Sequence, residues 1–364
     1  MTELGRLIAR RIALTGPITL AEFMAEALGH PRLGYYRRAL PVGAAGDFTT
    51  APEISQMFGE LIGAWLAERW LAMGRPSPVR LVELGPGRGT LMADALRATR
   101  RVPGFPEAVD LHLVETNAPL REAQRAALHA CRPTWHERFD EVPAGPLLLV
   151  ANEFFDALPV RQFHRTVSGW RERMVGLDEA GGLRLALAPG ATPFAALLPD
   201  APEGAEAELC EAGRALAASI GARIARDGGW ALIVDYGLPS AGRAASLQAV
   251  RGHRGATILD RPGETDLSAH VDFAALAASA GIPAFGPVDQ GTFLRRLGLP
   301  ERAQALKRAA TPAQAQTIDA ASARLIAPDQ MGTLFRVLAL GDGRNAPPAG
   351  FTDTSSHDTP RTPP

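Results

Sequence analysis

The sequence predicts an α/β fold, a mostly parallel twisted sheet with helices on both faces, and three observations carry that reading. Apolar runs such as "VRLVELG", "DLHLVET", "PLLLVAN" and "WALIVDYG" have the composition of strands buried on both faces. Amphipathic stretches, "TLMADALRATRRV" and "APLREAQRAALHA", separate the early runs, which is the alternation of a covered parallel sheet. The first run also leads straight into a glycine-rich turn, "LGPGRG", where open sheets of this kind receive ligands.

Taken in order, residues 1–75 read as a helical and loop segment covering the cleft. "TLAEFMAEALG" carries an N-cap signal at Thr19, Glu22 three residues later and Gly29 as a stop. "EISQMFGELIGAWLAERWLAMG" repeats its apolar residues at helical spacing. Between them, "HPRLGYYRRALPVGAAGDFTTAP" is rich in Gly and Pro and reads as a long irregular loop, a length that usually serves function. The sheet core is expected over residues 76–340. "TWHERF" is its third short strand, and "RQFHRTV", "WRERMVGL" and "LRLALAP" form a β-meander inserted at about 160–190. "EAELCEAGRALAASIGARIARDG" reads as one helix, followed by the strand "WALIVDYG". The helix "HVDFAALAASAG", a strand near "AFGPV", a helical segment at about 291–328 and a last strand, "TLFRVLAL", complete the core. The tail at 341–364, rich in Pro, Thr, Ser and Asp, is expected to be disordered.

Bulk properties narrow the function classes. A chain of 364 residues with 21% charged side chains has room for a sizeable core. Its net charge of -1 gives no footprint for nucleic acid. Lys307 is the sole lysine, which excludes a P-loop lysine and leaves little room for Schiff-base chemistry. Cys131 and Cys210 stand far apart with no CxxC, so neither a disulfide framework nor a cysteine zinc site is expected. The eight histidines are scattered and no HExxH occurs, so no metal is expected. No signal sequence or membrane-length apolar run is seen, and a cytoplasmic protein away from membranes is the expectation.

The turn decides among ligands. Gly85, Gly87 and Gly89 match neither GxxxxGK[ST] nor GxGxxG. Glu83 sits at the carboxyl end of the strand, where a carboxylate repels pyrophosphate and suits a ligand bearing an ammonium group. Glu115 ends the next strand, placed to accept ribose hydroxyls. The set points to S-adenosylmethionine. Beyond the buried strand "PLLLVAN", Asn152, Glu153 and Asp156 face the same crevice, with Phe154 and Phe155 either walling it or filling the core. Methyl transfer needs chiefly alignment, and a guanidinium acceptor would be held by paired carboxylates. Glu153 and Asp156 are the candidates, with Asp47 or Glu53 from the long loop as helpers. His270 either lines the site or packs beside a helix start.

Five segments in this order, "GDFTTAPEISQMFGE", "VELGPGRGTL", "NEFFDALPV", "DYG" and "DLSAHVDF", resemble the MidA family of class I S-adenosylmethionine-dependent methyltransferases. The resemblance covers about Thr19 to Leu340. It implies a Rossmann-like class I methyltransferase core and protein arginine methylation, with mitochondrial members assisting assembly of respiratory complex I. By motif, Gly85, Gly87 and Gly89 would bind the cofactor. The loop carrying Asp47, Phe48, Thr49, Thr50 and Glu53 would close over cofactor or acceptor, and "NEFFDALP" would border the reaction site. Without a clear presequence the chain is taken as a bacterial member, with a respiratory NADH dehydrogenase subunit as acceptor by analogy; a eukaryotic member would work in the mitochondrial matrix. The alternatives are a small-molecule methyltransferase, an S-adenosylmethionine-binding assembly chaperone with little turnover and, more distantly, an NAD oxidoreductase.

Overall fold

Both faces of each central strand are apolar in the sequence, and the structure, a computed structural model, buries both. It describes residues 1–38, 50–237, 245–343 and 346–351. Seven strands form the main sheet: β1 (Val79–Leu84), β2 (Val109–Val114), β3 (Thr134–His136), β4 (Leu147–Asn152), β5 (Gly229–Tyr236), β6 (Ala284–Asp289) and β7 (Phe335–Gly341). Their order is β6-β7-β5-β4-β1-β2-β3. β7 runs antiparallel to both neighbours, and the other pairs are parallel. The chain leaves β1 toward β2 on one side and later returns as β4 on the other. A crevice therefore opens beyond the carboxyl ends of β1 and β4, the switch point of such a sheet.

Alternate residues feed two cores. Leu81, Leu113, Leu148, Val150, Leu232 and Val337 face one layer with Trp65 and Trp70. Val82, Leu84, Leu149, Ala231, Ile233 and Leu338 face the other with Ile220, Ile224 and Phe273. Each such side chain contributes about 1.5–3 kcal/mol relative to its exposed state.

The helix Gln56–Ala72 is buried on nearly all sides and lies against Thr90–Thr99. Gly59 and Gly63 make the approach possible: a Cβ on Gly63 would fall 2.6 Å from the Ala95 carbonyl oxygen. Buried Glu60 on this helix is held by Arg97 and Arg302. Thr19 caps Leu20–Gly29 in a full capping box, its hydroxyl accepting the Glu22 N–H while the Glu22 carboxylate accepts the Thr19 N–H.

The meander forms as Arg161–Thr166, Gly169–Leu177 and Leu183–Leu187. It recruits two strands the sequence reading did not assign. Ile18–Thr19 pairs with Gly169–Leu177, and Glu206–Leu209 pairs with Arg161–Thr166. "EAEL" was assigned to the following helix; instead Ala207 and Leu209 alternate inward, and the helix starts at Glu211. Cross-strand pairing overrides the helical propensity of Glu, Ala and Leu. A third small sheet, Gln248–Arg251, Arg254–Ala256 and Asp266–Ser268, also lay outside the reading. Among its described residues the long loop holds the single-turn helix Tyr35–Arg38, and a second, Ala51–Ile54, starts at its end, where irregular backbone was expected. Of the tail expected to be disordered, residues 346–351 pack back: the Trp65 indole N–H donates to the Ala349 carbonyl at 3.2 Å and Phe351 stacks near Phe293. Lys307 pairs with Asp319 at 2.7 Å, joining Leu299–Lys307 to Pro312–Ile326.

Candidate active site

Three positive backbone angles build the loop after β1: φ is +62° at Gly85, +52° at Gly87 and +83° at Gly89. These values favour glycine. At Gly85 space adds to conformation, because a Cβ there would sit 2.7 Å from Cδ2 of Phe154. Gly89 then precedes the helix Thr90–Thr99, whose first N–H groups face the loop.

Glu83 stands on β1 between Leu113 of β2 and Val150 of β4, 3% exposed. Among the described residues its Oε2 has no hydrogen-bond partner, and burial pushes its pKa up to about 8. Glu115 lies just beyond β2. Its carboxylate accepts the Asn117 N–H at 2.7 Å and the Gln124 side-chain N–H at 3.3 Å, while burial raises its pKa. Gln124 is fully buried and also donates to the Gly87 carbonyl at 2.7 Å, and its own oxygen accepts the Trp135 indole N–H. One side chain thereby ties the glycine loop to Glu115.

Past β4 the chain makes a tight turn. Asn152 is buried, its amide donating to Glu153 at 3.2 Å. Glu153 has φ +51°, and its Oε1 accepts the Ala51 N–H at 2.9 Å from the N-terminal segment. Burial, opposed by that N–H, raises Glu153 to about 7. Asp156 is raised to about 6 by burial, opposed by the Tyr236 hydroxyl it accepts. The turn rests on Asp235, the last residue but one of β5, whose carboxylate lies wholly inside the protein.

A cavity of about 880 Å³ joins the two regions. Gly85, Gly87 and Glu115 line one part, and Glu153, Asp156 and Tyr236 another. Thr50 and His270 are on its wall, His270 edge-on to Tyr236 at 5.7 Å and donating its backbone N–H to Ser246. Glu53 faces elsewhere, accepting the Thr90 hydroxyl. Asp47, Phe48 and Thr49 lie outside the described residues. The sequence reading gave no site role to Gln124, Asp235, Tyr36, Tyr236 or Asp266, although "DYG" and "DLSAHVDF" contain three of them. Tyr36 lines the cavity with its hydroxyl on Asp266. The signal for Tyr236 was present, since it ends a buried strand on the ligand side; Gln124 looks like any solvent-facing helix glutamine.

Among the described residues, five carboxylates (Glu115, Glu137, Glu153, Asp156, Asp266) and two guanidinium groups (Arg37, Arg324) line the cavity. Such a wall favours cations. A family model described as "Putative S-adenosyl-L-methionine-dependent methyltransferase" matches residues 61–287. The chain belongs to this methyltransferase family. "Protein arginine methyltransferase NDUFAF7, mitochondrial" of Danio rerio is 37% identical over 95% of this chain and 91% of its own length. The Homo sapiens protein of the same name is 36% identical over 93% of this chain and 83% of its own. A crystal structure of a Burkholderia thailandensis protein bound to S-adenosyl-homocysteine superimposes with a TM-score of 0.84 at 29% identity, covering 96% of this chain and 94% of that one. The methyltransferase thus depends on S-adenosylmethionine, and the site suits it: Gly85 and Gly87 line the cavity, and two residues before Gly85 the buried Glu83 keeps an orphaned acid oxygen among the described residues. Among its described residues no helix is long and apolar enough to cross a membrane, and no group of three or more His, Cys, Asp or Glu is placed to hold a metal ion.

Proposed function

We propose that this methyltransferase modifies a guanidinium nitrogen of an arginine in a protein acceptor. The observation that carries the reading is the placement of Glu153 and Asp156, three residues apart, on the wall of the cavity that Gly85 and Gly87 also line. Relatives named as protein arginine methyltransferases support it across nearly the whole chain.

Gly85, Gly87 and Gly89 would hold the methionine end of the cofactor by backbone, Glu83 its ammonium and Glu115 its ribose. When bound, S-adenosylmethionine supplies a methyl carbon activated by a sulfonium. Glu153 and Asp156 grip the guanidinium as ionised carboxylates, keep its charge on the nitrogens they bind and present the remaining nitrogen. Asn152 and the Ala51 N–H fix the Glu153 carboxylate. The proton shed by the alkylated nitrogen passes to Glu153, whose pKa of about 7 suits a neutral-pH acceptor. The described part of residues 1–75 covers the cleft, contributing Tyr36 and Thr50 to its wall, and His270 borders the acceptor end; Asp47, Phe48 and Thr49, which the resemblance assigns to the same loop, lie outside the described residues.

The test is methyl-labelled S-adenosylmethionine incubated with lysate lacking the gene, then mass spectrometry of the labelled band. A respiratory NADH dehydrogenase subunit is the first acceptor to examine, on the family resemblance. Methylarginine in that band, lost with Glu153→Gln or Asp156→Asn while S-adenosyl-homocysteine still binds, supports the reading. Label confined to small molecules, or no label, overturns it.

A further inference from the structure

The turn bearing Glu153 and Asp156 needs an anchor, since three successive backbone N–H groups at Phe154, Phe155 and Asp156 point away from regular ladders. All three donate to one atom, Oδ2 of Asp235, at 3.1, 2.9 and 3.2 Å. Oδ1 accepts the Tyr236 N–H at 2.9 Å. Asp235 is 0% exposed. Its cross-strand neighbour Arg336 turns instead to Asp289. Among the described residues the carboxylate thus meets backbone donors and no guanidinium.

We infer that Asp235 is a positioning residue for methyl transfer: its buried carboxylate gathers the turn's N–H groups and so aims Glu153 and Asp156 into the cavity. It touches neither cofactor nor acceptor. Burial, joined by the nearby Asp156 and Glu153, raises the Asp235 pKa well above the ordinary carboxylate range, and the backbone donors oppose this only in part. Other charges facing this group are Arg324 on Glu153, Tyr236 hydrogen-bonded to Asp156, and Asp266 beyond Tyr36.

This rests on the reading of Glu153 and Asp156 given above, and the experiment separates the two. Wild-type and Asp235→Asn enzymes are compared by methyl label transferred into the gene-deleted lysate across pH, with S-adenosyl-homocysteine binding by calorimetry. The wild-type rate is expected to rise from about pH 6 to about pH 7 as the two acids ionise. Asp235→Asn should bind S-adenosyl-homocysteine within about threefold of wild type, keep the KM for S-adenosylmethionine and lose about 100-fold in kcat, the scale of a small misplacement. A kcat equal to that of wild type overturns the inference; no labelling by wild type overturns the functional reading instead. Amide exchange on the wild-type protein decides independently of the variant's folding: Phe154, Phe155 and Asp156 should be as protected as β5, and exchange at the rate of an open turn overturns the inference.

Discussion

Glu83 places an unpaired carboxylate inside the sheet, and that has a thermodynamic signature. Its folded pKa of about 8 stands well above its ordinary value of 4.5. Between those two pH values the unfolded chain has released the proton while the folded chain still holds it. Stability therefore falls as pH rises through this window and levels off above pH 8. Glu83→Gln should flatten the slope and raise stability at pH 8 by on the order of 2–4 kcal/mol, measured by denaturant unfolding at pH 5 and 8. The same variant should bind S-adenosyl-homocysteine more weakly, so an acid that strains the empty protein serves the ligand. Gly85 is the complementary case. Gly85→Ala meets both a φ of +62° and Phe154, and should lose about 1–3 kcal/mol of stability and at least tenfold in S-adenosyl-homocysteine affinity. A variant of wild-type affinity by calorimetry would remove the close-approach account.

At the level of elements, the helix Ala118–Ala127 does more than cover the sheet. Asn117 caps it, and Gln124 donates to the Gly87 carbonyl and to Glu115 and accepts the Trp135 indole N–H. Gln124→Leu keeps the volume and leaves those partners unsatisfied, so a loss of about 1–3 kcal/mol is expected, with weaker S-adenosyl-homocysteine binding. Thermal unfolding with and without that ligand measures both. The contrast with the strands shows what the sequence could convey. β1, β2, β4, β5 and β7 are apolar on both faces and bounded by turns, so their existence follows from local pattern. The glycines and acids at their ends were legible because chemistry and position coincide there. "EAEL" and the strand at Ile18 were not, because their pairing partners lie far away in sequence. The role of Asp235 was hidden for a related reason: it serves a turn about 80 residues earlier.

Across the whole molecule, the N-terminal segment and the sheet share one core. Phe58, Ile62, Trp65 and Trp70 pack in the same cluster as Leu81, Leu148 and Leu232, and Ala51 reaches Glu153. A fragment beginning at residue 76 would expose the surface those aromatic side chains cover. It is expected to aggregate or lose cooperative unfolding, which sedimentation and calorimetry would report; a soluble fragment with a sharp transition would mark residues 1–75 as a separable cover. The Lys307–Asp319 pair has a practical side. With one lysine in the sequence, amine-directed reagents have a single side-chain address besides the α-amine. A fluorophore attached there without engineering would sit on the helical hairpin whose second helix supplies Arg324 to the cavity wall. Its emission would then show directly whether that hairpin shifts when an acceptor arrives.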